Sequence, residues 1–586
     1  PSLYEEVGDW ERVRHNYYAT ILDLFIEGWA KPYYEYCTKN NLLFTGHYWE
    51  HEWPRPVINP DNMAMAAFSH MPGIDILMNE FQMDTHAQFG NTRAVKEIRS
   101  IANQLGQKRT MSETFGAGGW EMSFFDQKRI ADWEYALGVN FMNQHLSYAT
   151  IKGARKRDHP LSFSYHEPWW HAYKPMADYF GRLSIALSSG EQLNRVVVIE
   201  PTTTALMYHS PRGESEKMKA IGKRFQDFVN RLEAAHVEYD LASESIIREH
   251  AKVKDEKFHI GQRAYELVIL PPGLENLDRP TLLFVIDYVA RGGRIICYGK
   301  PPSYVDGRKV DEIEMLAAKH PRDWLIVEDD DDLEMIGKLI PPHVELRVKN
   351  TAGDSPNLLF HHRRSLADCE LLFLVNTSNM QIASGTIVAP GRSCEQWDLA
   401  TGRAVSYPYT IEKNKLSLEF SLPRGGSLLL CVRPMAGKAG KAASVTRTEL
   451  KASGLTTVER VSQNVLTLDY CDLTLDGKTH RDLYFYAAQL KTFQFHGLDR
   501  NPWDNGVQYE KSILDKDKFA SGSGFEAAYQ FTVAEGVDSN SLQVVVERPE
   551  LYQVSVNGNR VSPLDNVWWL DKSFGVFEIG RFVRPG

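Results

Sequence analysis

Glu113 has the setting that best suits chemistry. It closes the short run Arg109 to Ser112, and the segment after it, Thr114 to Gly119, reads Thr-Phe-Gly-Ala-Gly-Gly, too rich in glycine for a helix or a core strand. A carboxylate at such a point is fixed by a strand and exposed by a loop. A nucleophile, or a base that activates water, needs that combination. Glu80 closes another apolar run, Ile74 to Asn79, with Asp84 and His86 just behind it. Paired carboxylates can cleave a glycosidic bond, one protonating the leaving oxygen while the other attacks or activates water across roughly 5 to 9.5 Å. Glu80 equally suits orienting a sugar hydroxyl or binding a cation, and Asp84 and His86 read as loop-stabilising groups.

Two further runs end in the same kind of residue, Leu42 to Glu52 and Asn140 to His145. The first carries His47-Tyr48-Trp49-Glu50-His51-Glu52, which matches the zinc-peptidase pattern H-x-x-E-H. That motif needs a helix to bring its histidines to one face. Here Leu42 to Gly46 reads as strand and Trp53-Pro54-Arg55-Pro56 forbids a helix soon after, so zinc is not the reading we adopt. His47, Trp49, Glu50 and Glu52 suit a sugar site instead, with flat aromatic faces for pyranose rings and polar groups for hydroxyls. The same reasoning makes His166 and Trp169, in Tyr165-His166-Glu167-Pro168-Trp169-Trp170, candidate substrate contacts, with a packed loop as the alternative. His145, beside Gln144, is assigned to binding. The basic run Lys152 to Arg157 has no glycine-rich cradle and reads as a solvated loop.

These residues need elements that bring them together. Strand-like runs alternate with helical patterns at Asn91 to Leu105 and Asp126 to Leu137, after a long first helix from about Asp9 to Tyr36. Parallel strands that deliver acids and histidines to one open face are the signature of a (β/α)8 (TIM) barrel. Residues 1–192 then supply its C-terminal half, strands 5 to 8, closed by a helix over Ala172 to Ser188. A second α/β domain, 193–346, has continuous apolar runs at Arg195 to Glu200, Glu266 to Leu270 and Arg294 to Tyr298, with helices near Glu214 to Ala235 and Arg279 to Ala290, and it ends after Leu325 to Val327 and the acidic run Glu328 to Asp332. Cys297 and the later His343-Val344-Glu345 invite an amidotransferase reading, but Cys297 continues an apolar strand as a buried cysteine does. Short alternating runs over 347–436 predict a β-sandwich, Ala436 to Ser444 has a linker's composition, and 445–586 is a second β region with an Asn557-Gly558 hairpin turn. The fold class is thus multidomain α/β plus β.

The chain has 586 residues, 43% of them hydrophobic, enough for several cores, and a net charge of −10 without basic clusters interleaved with aromatics. That balance argues against a nucleic-acid partner, and no apolar run is long enough for a membrane span. Six scattered cysteines without a CxxC pair indicate neither a zinc knuckle nor a disulfide framework. Both ends read as cut, with any targeting signal upstream of Pro1.

The runs LLFTGHYWEHEWPRP, DNMAMAAFSHMPGIDILMNEF, HAQFGNTRAVKEIRSIANQLGQKRTMSETFGAGGW, NFMNQHLSYATIKGARKRDHPLSFSYHEPWW and VVVIEPTTTALMY closely resemble bacterial α-L-rhamnosidases of glycoside hydrolase family 106. The resemblance covers about the first 440 residues and is strongest from Leu42 to Tyr208. It implies a β/α barrel, a flavodoxin-like or class I amidotransferase-like α/β domain and β-sandwich modules. The C-terminal YQVSVNG resembles a galactose-binding-type jelly roll. Glu113 would then be the strand-7 base or nucleophile and Glu80 a strand-6 acid. The general acid would stand at strand 4, upstream of Pro1. The likeness also implies inversion, a calcium ion near the sugar as the one cofactor, a glycoside or oligosaccharide as the partner, and a periplasmic or secreted bacterial protein. A β-galactosidase-like glycosidase and a non-catalytic carbohydrate-binding fragment are the alternatives.

Overall fold

A computed structural model describes the chain except residues 85, 214, 350–357, 413–414, 437–449, 461, 500, 502–521 and 586. It divides into two compact units: Pro1–His145 with Ala172–Ser444, and Leu146–His171 with Val445–Gly586. The stretch Leu146–His171, which the sequence reading assigns to the first domain, therefore groups with the C-terminal module. Residues 437–444 of the expected linker and the expected helix start at Glu214 lie outside the described residues.

The first unit opens on a helix, Trp10–Phe25, a π-helical turn, Ile26–Ala30, and a second helix, Lys31–Lys39, where the sequence predicts one continuous helix. Four parallel strands follow: β1 (Thr45–Gly46), β2 (Met71–Ile76), β3 (Met111–Thr114) and β4 (Phe141–Gln144), hydrogen-bonded in chain order. Helices cross between them. Thr92–Leu105 starts where the Asn91 side chain accepts the Ala94 N–H and stops at left-handed Gly106, while Phe124–Leu137 starts on a capping box of Ser123 and Asp126. These caps fix where each helix begins, and so which strand end its loop leaves open. Every residue of Thr92–Gln104 is buried, polar ones included, because the helix is covered by the strands on one side and by the next domain on the other.

That next domain is a parallel sheet of β5 (Val196–Ile199), β6 (Tyr239–Ala242), β7 (Leu267–Leu270), β8 (Arg294–Tyr298) and β9 (Trp324–Val327), ordered β9-β8-β7-β5-β6. This is the doubly wound order 2-1-3-4-5. Wholly apolar Val196–Ile199 and Leu267–Leu270 are buried on both faces, as helix-covered parallel strands must be. β6 is absent from the sequence reading because Asp240 interrupts it; that carboxylate accepts bonds from Asn103, Asn194 and Tyr265. Two antiparallel sheets then pack face to face. Leu372, Leu374, Leu430 and Val432 of a five-stranded sheet meet Ile387, Leu416, Leu418 and Phe420 of a four-stranded one, each such burial contributing about 1.5–3 kcal/mol.

In the second unit Gln543–Glu547 pairs antiparallel with Asp571–Glu578, and a hairpin of Val554–Val556 and Asn559–Val561 turns at Asn557-Gly558. Both turn residues have positive φ, 48° and 78°, the backbone of a type I′ turn. The Leu146–His171 segment is held to Asp571. That carboxylate accepts the Thr150 hydroxyl and the Ile151 N–H at 3.0 Å each and lies 3.0 Å from His166 Nε2.

Candidate active site

Strands β1 to β4 place one polar group each at their C-terminal ends. His47 follows β1, Asp75 lies on β2, Glu113 on β3, and His145 follows β4. Asp75 and Glu113 are register partners, and Glu113 is in turn the partner of Asn143. The Glu113 carboxylate sits between two imidazoles, 3.4 Å from His47 Nε2 and 3.7 Å from His145 Nε2. It is 23% exposed, so it is held on both sides yet open to a small molecule. Glu50 lies beneath. Its side chain is 1% exposed, Oε1 accepts the Asp75 N–H at 2.6 Å, and Oε2 lies 3.8 Å from His47 Nδ1. The buried Arg93 donates to the Glu50 carbonyl at 2.6 Å, which fixes that turn from below.

The loops leaving these strands are conformationally unusual. Trp49, Met78, Phe115 and Ala117, which follow β1, β2 and β3, all have left-handed φ between 56° and 79°. Non-glycine residues hold such backbone only where the surroundings over-determine it, commonly around functional sites. Gly116 is required by close approach: a Cβ there would lie 2.9 Å from the His145 ring and 2.7 Å from Leu77. Asn79 Nδ2 donates to the Gly118 carbonyl at 2.9 Å, tying the loops after β2 and β3 together.

The other sequence candidates are placed as follows. Glu80 is exposed in a bend four residues past the end of β2, so the acid carried by that strand is Asp75, which sequence reasoning did not single out. The available signal was alternation: Asp75 stands between Ile74 and Ile76, both buried, and an acid in that position of a parallel strand calls for a partner. Trp49 is 63% exposed, with its ring 5.4 Å from that of His51. Glu52 pairs with Arg55 at 2.6 Å, a bond that lowers its pKa. Glu50–Glu52 form a single 3-10 turn, not the helix that a zinc-peptidase motif needs. His86 Nδ1 donates to the His51 backbone carbonyl at 3.2 Å, in keeping with a loop-stabilising role. His166 and Trp169 belong to the second unit. There the His166 side chain is fully buried between Ser164 and Asp571, which takes up both ring nitrogens and corrects its reading as an open substrate contact. In the α/β domain, burial pushes the Cys297 thiol up to about 12, and His343 pairs with Glu370 at 2.9 Å. A cysteine so suppressed does not supply a thiolate.

His47, Asp75 and Glu113 offer one ligand atom each within 4.8 Å of one another. Calcium takes six to eight oxygens. One imidazole nitrogen and two carboxylates do not fit it, and such a set is of the kind used for divalent transition metals. Glu134, on the helix behind β3, supports the site from below. It is fully buried, its Oε2 accepts from Thr114 Oγ1 at 3.3 Å, and burial raises its carboxyl to about 8.

The family model for glycoside hydrolase 106, alpha-L-rhamnosidase, matches residues 5–411. The solved rhamnosidase from Novosphingobium sp. PP1Y is 18% identical with a TM-score of 0.57, over 99% of this chain and 51% of that one. A Formosa agariphila protein named as a β-glucuronidase is 28% identical over 217 residues, 35% of this chain and 17% of that protein. The chain thus spans about half the length of the solved rhamnosidase and a smaller share of the curated relative. No helix of the described residues is long and apolar enough to cross a membrane.

Proposed function

Because the chain belongs to the glycoside hydrolase 106 family of α-L-rhamnosidases, we propose that β1 to β4 form part of the catalytic face of a β/α barrel and that the protein carrying this chain releases terminal α-L-rhamnosyl residues from glycosides. The observation that carries this reading is the Glu113 carboxylate, exposed at a strand end and bracketed by His47 and His145. Glu113 acts as the base that takes a proton from water, or as the nucleophile, at the anomeric carbon. The two imidazoles orient it where the sugar must approach. In this reading Asp75 and Glu80 accept sugar hydroxyls and Trp49 stacks on a pyranose ring, which the exposure of Glu80 and Trp49 supports. Glu50 holds Asp75 and His47 and does not meet the sugar, because it is buried.

The doubly wound order of β5 to β9 supports an amidotransferase-like scaffold without amidase chemistry, and the C-terminal sheets support a galactose-binding-like module. A panel of aryl glycosides tests the substrate assignment. Turnover of the α-L-rhamnoside far above that of the β-D-galactoside is expected, and the reverse order would replace it with the β-galactosidase reading.

A further inference from the structure

The polar groups at the ends of β1, β2 and β3 converge closely enough to share one ion. His47 Nε2 lies 3.4 Å from Glu113 Oε2, and Asp75 is the register partner of Glu113 on the neighbouring strand. One ligand atom from each of the three lies within 4.8 Å of the other two. Donors bound at about 2.0–2.1 Å to a tetrahedral zinc ion stand about 3.3 Å from one another. The His47–Glu113 separation already has that value, and the widest pair has at most about 1.5 Å to close, a matter of side-chain rotation. All three residues are partly exposed, so an ion reaches them from solvent and keeps a coordination position for water.

Buried Glu50 supplies the support that a ligating histidine needs. Its side chain is 1% exposed, its Oε1 accepts the Asp75 N–H at 2.6 Å, and its Oε2 lies 3.8 Å from His47 Nδ1. A carboxylate beside one imidazole nitrogen takes the ring N–H on that side and leaves the other nitrogen as a lone-pair donor. Here the nitrogen left for a metal is Nε2, the atom that faces Glu113. When an ion replaces the Nε2 proton, the remaining N–H stands on Nδ1, where Glu50 accepts it. One buried acid thus steadies two of the three ligands from behind.

We propose that His47, Asp75 and Glu113 bind a zinc ion and that the ion inhibits the enzyme. The inhibition rests on the reading of Glu113 as the catalytic carboxylate: an oxygen that ligates zinc no longer reaches water or the anomeric carbon. One imidazole nitrogen with two carboxylates suits Zn2+, whereas Ca2+ seeks six to eight oxygens and finds only two acidic residues in this set.

Isothermal titration calorimetry of the metal-free protein that carries this chain, with zinc chloride and then calcium chloride, tests the site. Saturable zinc binding is expected, with calcium at least about a hundredfold weaker. His47→Ala should abolish it, Glu113→Gln should weaken it strongly, and Glu50→Gln should weaken it about tenfold or more. The visible absorption of Co2+ bound in place of zinc should report a nitrogen and oxygen ligand set in the wild type and be lost in His47→Ala. No saturable zinc binding, binding undiminished in both His47→Ala and Glu113→Gln, or calcium binding as tight as zinc would each overturn the site. In parallel, zinc should inhibit turnover of an aryl α-L-rhamnoside with an inhibition constant equal to the calorimetric Kd. Zinc binding that needs His47 yet leaves turnover unchanged would overturn the inhibition and, with it, the reading of Glu113 as the catalytic group, while the metal site itself would stand.

Discussion

Glu134→Gln should make the chain progressively more stable than wild type as pH rises. The Glu134 carboxyl is fully buried on the helix Phe124–Leu137, and burial lifts its pKa from 4.5 to about 8, with Ser112 and Thr114 offsetting part of the rise and the Asp75 charge adding to it. The folded chain therefore keeps a proton that the unfolded chain releases above 4.5. Stability from this group is fully present below 4.5 and is lost as pH rises toward and through about 8. Each pH unit within that window costs about 1.4 kcal/mol, so from pH 5 to pH 8 the wild type loses about 4 kcal/mol through Glu134 alone. Glutamine keeps the shape and the capacity to donate and accept, and it does not titrate. Asp61, Glu97, Glu200 and Glu244 are also raised by burial, but they are common to both proteins and cancel in the difference. Urea denaturation of both proteins at pH 5, 6.5 and 8 gives the difference directly. It should be within about 1 kcal/mol at pH 5 and grow by about 4 kcal/mol at pH 8. A difference flat in pH would mean that Glu134 titrates normally in the folded chain, and that the packing behind β3 is not as described.

Glu50→Ala should cost about 2–4 kcal/mol of stability by deleting a buried acceptor of the Asp75 N–H. Glu50→Gln, which keeps that acceptor, should cost less than half as much by denaturant titration. In activity, Glu50→Ala should lower kcat at least about tenfold with little change in KM, because a buried residue acts on the sugar only through His47 and Asp75. Asp571→Asn should lose about 3–5 kcal/mol in the second unit, as it leaves His166 without its buried partner, and limited proteolysis should then cut within 146–171 faster than in wild type. Cys297 should resist iodoacetamide in the native protein at pH 7.5 and react only on unfolding, as read by intact mass, since its thiol is held near 12.

The alternation of strands and helices was legible because local signals agree with the tertiary arrangement. Asn91 and the Ser123–Asp126 box mark helix starts, Gly106 and Gly138 mark the ends, and continuous apolar runs mark strands covered on both faces. Strand ends were less legible. Leu77-Met78-Asn79 continues the apolar run of β2, but left-handed Met78 breaks the strand after Ile76, so the strand's acid is Asp75 although the apolar run ends at Glu80. Similarly, Leu42 and Leu43 read as strand yet are 53% and 76% exposed, and β1 is only Thr45–Gly46. The place of His166 depends on Asp571, 405 residues later. No periodicity within a window reports a contact of that range.

The central claim is that Glu113 carries the chemistry, and turnover of an aryl α-L-rhamnoside by Glu113→Gln in the protein that carries this chain tests it most directly. Glutamine keeps the shape between His47 and His145 and removes the charge that must attack carbon or deprotonate water. The account predicts a folded variant with wild-type melting, near-normal sugar binding, and kcat reduced by roughly a hundredfold or more. A folded Glu113→Gln protein with near-normal kcat would contradict it and would remove Glu113 from the mechanism.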